Sequence, residues 1–215
     1  MERIAVTAFV DWMAQVHNAG AAKLHDDPKR QAEVTLDKVA RVVAGALNQQ
    51  RSDARQHFQV HLRLYHGWHQ GLTQTISRRT LASLEGDDNF AFPKSERIRF
   101  ERPWAYGERL LVALDKRLHR RAAVHLPDTC RRDGRDKLDR EKMVDTALAA
   151  DLLTHARQFA ADWRLVVADD DDVIPPLFTA EAWTHGRRGG RTLLVRRRRN
   201  PGHLNLDGLL LEYDP

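Results

Sequence analysis

The 215-residue chain contains one cysteine, Cys130, so no internal disulfide can form and a reducing compartment is expected. It has no stretch of about 18 or more apolar residues, so no membrane-spanning helix is expected. The apolar run in MERIAVTAFVDWM is broken at Asp11 after only a few residues. That is too short for the apolar region of a signal peptide. A soluble, cytoplasmic protein that does not enter membranes is the expectation. No internal repeat is visible. His61, His66, His69, His119 and His125 form no metal-ligand spacing with the cysteine, so nothing points to a His/Cys zinc site.

What is present suits a globular enzyme or binding module. Hydrophobic residues make up 42% and charged residues 30% of the chain. That balance supports a core and argues against global disorder. The net charge is +5 and the pI about 9.6, which favours an anionic partner. The length fits one sizeable α/β domain.

Ile4–Val10 is short, apolar and β-rich, and reads as a buried strand. HDDPKRQAEVTLDKVARVVAGALNQQ predicts a long helix, with Asp27 as cap, Pro28 in the first turn, and Leu36, Val39, Val43 and Leu47 at helical spacing. HFQVHLRLYHGW alternates Phe58, Val60, Leu62 and Leu64 with polar neighbours, as a strand does. SRRTLASLE predicts a short helix and RIRFERP an extended segment. RLLVALDKRLHRRAAVHLP is ambiguous, and DTCRRDGRDKLDREKM reads as a charged surface loop. Regular structure resumes with a helix over VDTALAADLLTHARQFA and a strand at WRLVVA. A short helix over PPLFTAEAWTHG and a strand at RTLLVR follow, and LNLDGLLLEY closes the chain as strand or turn. The alternation predicts an α/β fold whose central, mostly parallel sheet has helices on both faces.

In such sheets ligands bind beyond the carboxyl ends of the strands. Asp11 follows the first strand, Asp145 opens the helix after the charged loop, and Asp169 to Asp172 follow WRLVVA. Carboxylates there are hard oxygen ligands for Mg2+ or Mn2+. A cation among them would offset their repulsion and activate water for a displacement at phosphorus. The residues by themselves also allow a blander account, in which the aspartates cap helices or face solvent.

IAVTAFVDWM, EKMVDTALAADLL and LVVADDDDVIPPL together resemble an NYN domain, a branch of the PIN-like nucleases. Lys142, Val144, Asp145 and Asp151 match that family's middle motif; Asp170, Asp172 and Pro175 match its last. The framework spans Ile4 to about Arg199. The resemblance implies a single PIN-like (NYN) three-layer domain over residues 1–215, with a divergent or inserted region at about 70–140. It implies a metal-dependent endoribonuclease using Mg2+ or Mn2+, with RNA as substrate and DNA as a possible one. Asp11, Asp145 and Asp170 would form the metal site, and Asp172 would be a further ligand or water-orienting carboxylate. Lys142 would contact a phosphate; otherwise it pairs with Glu141 or Asp145. Asp151 lies six residues past Asp145, roughly 240° round the helix, so a supporting hydrogen-bond role fits it better. Asp169 and Asp171 would point away from Asp170 and Asp172 if the segment stays extended.

The sequence departs from the family's pattern. Trp12, Met13 and Ala14 follow Asp11 where Gly and then Asn are usual, leaving Gln15 or Asn18 to replace the Asn. Met143 and Asp169 stand at glycine positions, and Val173 at a Phe position. A catalytically degenerate scaffold that binds RNA or a protein partner is therefore the alternative, and homo-oligomer formation is left open. A Toprim-like phosphotransfer enzyme would want a glutamate where Asp11 stands. Arg187, Arg188, Arg191 and Arg196 to Arg199 suggest a phosphate-backbone track or, alternatively, a charged strand edge. Trp12 would stack on a base or pack at the strand end. Trp163 and Trp183 are expected in the core. His66 and His69, near a strand end, are candidates for auxiliary acid or base groups.

Overall fold

The alternating apolar runs and amphipathic stretches fold as alternating strands and helices. The computed structural model describes residues 2–50, 55–133, 138–185, 189–197, 206 and 208–213. β1 (Glu2–Asp11) runs directly into a short helix, α1 (Trp12–Asn18), and a 3-10 turn leads to α2 (Pro28–Gln50). Asp27 caps α2 by accepting the Arg30 N–H at 3.0 Å. β2 (Gln56–Tyr65) is followed by a small hairpin of β3 (His69–Gln70) and β4 (Thr73–Gln74). Next come α3 (Ile76–Glu85), β5 (Ile98–Phe100) and β6 (Ala105–Tyr106). A second hairpin, β7 (Cys130–Arg132) and β8 (Asp139–Glu141), precedes α4 (Val144–Gln158). β9 (Trp163–Val167), α5 (Ile174–Thr184), β10 (Thr192–Arg197) and β11 (Leu210–Tyr213) complete the described chain.

The main sheet has the order β11-β10-β9-β1-β2-β5, with β6 also paired to β2, and every pairing in it is parallel. The chain builds outward from β1 through β2 to β5 and β6. It then returns to the other side of β1 to build β9, β10 and β11. Crossovers between parallel strands are right-handed, so reversing the direction of building moves the helices to the opposite face. Val6, Ala8 and Val10 of β1 accordingly share one core cluster with Leu36, Val39, Val43 and Leu47 of α2 and with Leu81 and Leu84 of α3. Phe9 belongs to the other cluster, with Leu148 and Leu152 of α4 and Leu177 of α5. Burial on both faces explains why β1 and β9 read as continuous apolar runs.

Parts of residues 70–140 join the main sheet and core. β5 and β6 extend the main sheet beyond β2, and α3 packs on the α2 face. Gly107, just after β6, passes the Tyr65 ring so closely that a Cβ would lie 2.2 Å from it. α1 has no counterpart in the sequence reading, and Trp183, expected in the core, is 40% exposed. No helix among the described residues is long and apolar enough to cross a membrane.

Candidate active site

Strand register brings the acidic segments to one edge. Asp11 pairs with Tyr65 of β2, and Val10 pairs with Val167 of β9. Asp11 and the aspartate run therefore leave the sheet side by side, where the order of strand building reverses. In open parallel sheets this is the crevice where ligands bind. Asp11, Glu141, Asp145 and Asp169 to Asp171 line one open cleft there, of about 540 Å³, together with Met13 and Met143.

Asp11 has a local task as well. It caps α1, its Oδ1 accepting the Ala14 N–H at 3.2 Å. Burial pushes its carboxyl up to about 6; the Ala14 N–H opposes this, the charges of Glu141 and Asp145 add to it, and His66 opposes it. Asp145, in the first turn of α4, is also raised, first by partial burial and then by Asp170, Glu141 and Asp172. Carboxylates from three separated segments thus feel one another's charge.

The run Asp169 to Asp172 does not stay extended, so the four side chains do not simply alternate. Asp170 caps a 3-10 turn at Asp171–Val173, its Oδ1 accepting the Asp172 N–H at 2.9 Å. Asp169 accepts from Asn18 Nδ2 at 2.8 Å and from the Arg197 backbone N–H at 3.2 Å. Asp171 accepts from the Arg196 guanidinium at 2.9 Å. Asp171 is an exposed residue of the turn, whereas Asp169 is half-buried and tied to Asn18 and the Arg197 backbone. Asn18 also donates to the Tyr213 hydroxyl at 3.1 Å, which donates to Gln15 Oε1 at 3.2 Å. Asn18 and Gln15 thereby brace the aspartate turn and β11. Asp172 is exposed and does not line the cleft.

Glu141 was not singled out as a site residue from the sequence. The β7–β8 hairpin carries it in, docking where Gly67 has no side chain. A Cβ on Gly67 would meet Cys130 Cβ at 3.0 Å and the Thr129 carbonyl at 3.2 Å. Glu141 Oε1 accepts the Gly67 N–H at 2.6 Å and contacts His66 Nδ1. Burial acts to raise the Glu141 carboxyl, but His66 and the Gly67 N–H outweigh it and hold the group below its ordinary value. The available signals were the glutamate directly before Lys142 and the YHGWH stretch at the end of β2.

The other sequence candidates lie elsewhere. Trp12 is 2% exposed and belongs to the core, so it offers no stacking face. Lys142 is exposed next to Glu141 but does not line the cleft, and its backbone N–H donates to Thr129. Arg191 precedes β10, at the opposite end of the strands. Its guanidinium donates to Gln50 Oε1 at 2.7 Å and lies 5.3 Å from the Trp163 ring centre. Arg187, Arg188, Arg198 and Arg199 lie outside the described residues. His69 is buried against Glu108 at 3.1 Å, which also holds Arg78. Asp151 is buried and accepts from Arg63 Nε at 2.7 Å, Tyr65 at 2.9 Å and the Leu111 N–H at 2.7 Å. It supports the α4–β2 contact and does not face the cleft.

Among the described residues, no group of three or more His, Cys, Asp or Glu side chains is arranged to hold a metal ion by itself. The charged donors that line the cleft are all carboxylate oxygens. They fit Mg2+ or Mn2+ in kind, because Mg2+ is commonly held by one or two carboxylates, with waters and substrate phosphates completing its shell. Asp11, Glu141, Asp145 and Asp170 are the residues placed to supply such ligands or to orient its waters. The chain matches no family model, no curated protein and no solved structure.

Proposed function

We propose that this chain is a metal-dependent nuclease of the PIN-like NYN type, hydrolysing phosphodiester bonds in RNA. One observation carries the reading. Carboxylates from three separated segments line a single cleft at the switch point of a parallel sheet, and they raise one another's proton affinity. Asp11, Asp145 and Asp170 would hold Mg2+ or Mn2+, with Glu141 orienting its water ligands. When bound, the cation supplies a lowered water pKa and positive charge for the phosphate oxygens. The chain's own part is to hold these carboxylates in place. Asp11 is fixed by the Ala14 N–H, Asp170 by the Asp172 N–H and Glu141 by the Gly67 N–H. The net charge of +5 favours a polyanionic substrate.

A second reading, a non-catalytic scaffold that binds RNA or a protein, draws support from the pairing inside the aspartate run. Asp169 and Asp171 are already held by Asn18, Arg197 and Arg196. Cleavage of labelled single-stranded RNA with Mn2+ or Mg2+ separates the two. The nuclease reading expects cutting that EDTA stops and that Asp170→Asn abolishes without unfolding. RNA binding without cutting, indifferent to Asp11→Asn and Asp145→Asn, is the outcome for the scaffold.

A further inference from the structure

Met13 and Met143 are large apolar side chains that are each 37% exposed. Both line the acidic cleft. Each stands two residues from a cleft carboxylate, Met13 after Asp11 and Met143 before Asp145. They come from different segments, so two separate parts of the chain each place an apolar side chain beside the carboxylates of the cleft.

Met143 also sits in an unfavourable backbone state. Its φ is +65°, and it is the residue before α4, where its side chain makes no capping hydrogen bond. A left-handed conformation strains any side chain with a Cβ, and glycine would relieve it. No capping hydrogen bond from the methionine side chain offsets this strain at the helix start. Its contribution lies in the cleft it lines.

A thioether is polarizable, flexible and free of hydrogen-bond donors, and it packs well against aromatic faces. Resting on the nuclease reading above, we propose that Met13 and Met143 are the base-contacting walls of the cleft, seating nucleobases of single-stranded nucleic acid beside the scissile phosphate. In a duplex the base faces are stacked on one another and cannot meet these side chains. Single-stranded substrates expose them. With no donor and only a weak acceptor, the walls sense that a base is present and do not read which one it is.

The test measures fluorescence anisotropy of labelled oligonucleotides with Mg2+, on an Asp170→Asn background that leaves them uncut. The probes are a mixed single-stranded RNA, the same length carrying consecutive abasic sites, homopolymers of adenine and uracil, and a duplex. Met13→Ala with Met143→Gly should weaken single-stranded binding about tenfold. It should leave the abasic and duplex probes unchanged, and the two homopolymers should bind within a few-fold of each other. Met143→Leu should retain affinity. Met143→Gly alone should raise the melting temperature, by about 2 °C, because the strain is relieved. Higher stability with weaker binding separates a substrate contact from damage to the fold. Single-stranded binding that survives the double variant overturns this inference alone, as does equal weakening on the abasic probe. A wild-type protein, with Asp170 intact, that neither cuts nor binds any probe overturns it together with the nuclease reading.

Discussion

Glu141 Oε1 accepts the Gly67 backbone N–H at 2.6 Å and contacts the imidazole of His66, latching the β7–β8 hairpin to the end of β2. The latch fixes a negative charge in the cleft, and that charge is one of the causes that raise Asp11. Glu141→Gln keeps the size and removes the charge. It should lower RNA cleavage at least about tenfold, in line with the loss of a group that orients water or substrate. It should also bring the Asp11 midpoint below its wild-type value of about 6, read by carbon-detected NMR titration of the carboxyl. An unchanged Asp11 midpoint would show that Glu141 is not electrically part of the cleft.

The raised carboxyl of Asp11 makes stability depend on pH. Its folded value of about 6 lies above the ordinary 3.8, so folding favours the protonated form. The resulting stability is complete below about 3.8 and is lost as pH rises through about 6. The loss attributable to this group at pH 7.5 is up to about 3 kcal/mol without divalent cation. Asp11→Asn cannot ionise. In EDTA it should be more stable than wild type at pH 7.5, and the difference should shrink by pH 4 in urea denaturation.

His155 gives a slope of the opposite sign. It is buried on α4, its Nε2 within 2.9 Å of Thr7 Oγ1. Burial, then Arg164, Arg63 and His61, pull it down to about 4 from 6.5. Folding therefore favours the neutral ring. That stability is complete above about 6.5 and is lost as pH falls through about 4, amounting to about 3 kcal/mol. Between pH 6 and 4 the two groups offset each other. His155→Gln should unmask the Asp11 slope, so that on acidification the variant gains stability relative to wild type. Denaturation midpoints measured at half-unit pH steps check this.

Away from the cleft, the Arg63 guanidinium is buried with Asp151, at 2.6 Å from Nη2 to Oδ2. Removing one partner of a buried pair leaves the other charge without compensation. Asp151→Ala should cost about 3–5 kcal/mol in guanidinium denaturation. It should leave Mn2+ affinity at the cleft unchanged in whatever protein remains folded.

Much of this architecture is legible in local pattern. Leu36, Val39, Val43 and Leu47 fall on one face of α2, and the apolar runs of β1 and β9 become central strands because helices cover both faces. The cleft position of Asp11, Asp145 and Asp170 follows from strand ends and order. What local pattern does not carry is contact between distant segments. Glu141 enters the cleft only because a hairpin of non-periodic sequence docks at Gly67. Trp12 sits beside a cleft carboxylate in sequence, yet helix α1 turns its ring into the core. Arg191 lies within a basic run, but register places it at the far end of β10, where it bonds Gln50. Asp169 and Asp171 resemble their neighbours in sequence and differ only through Asn18, Arg197 and Arg196.

The central claim is that carboxylates from three segments share one cation. Calorimetric titration of Mn2+ into the wild-type protein at pH 7.5 tests it most directly, alongside Asp11→Asn and Asp145→Asn. The account predicts one saturable site that either substitution alone abolishes, while both variants stay folded. Absence of binding by the wild type, or binding that survives both substitutions, would contradict it.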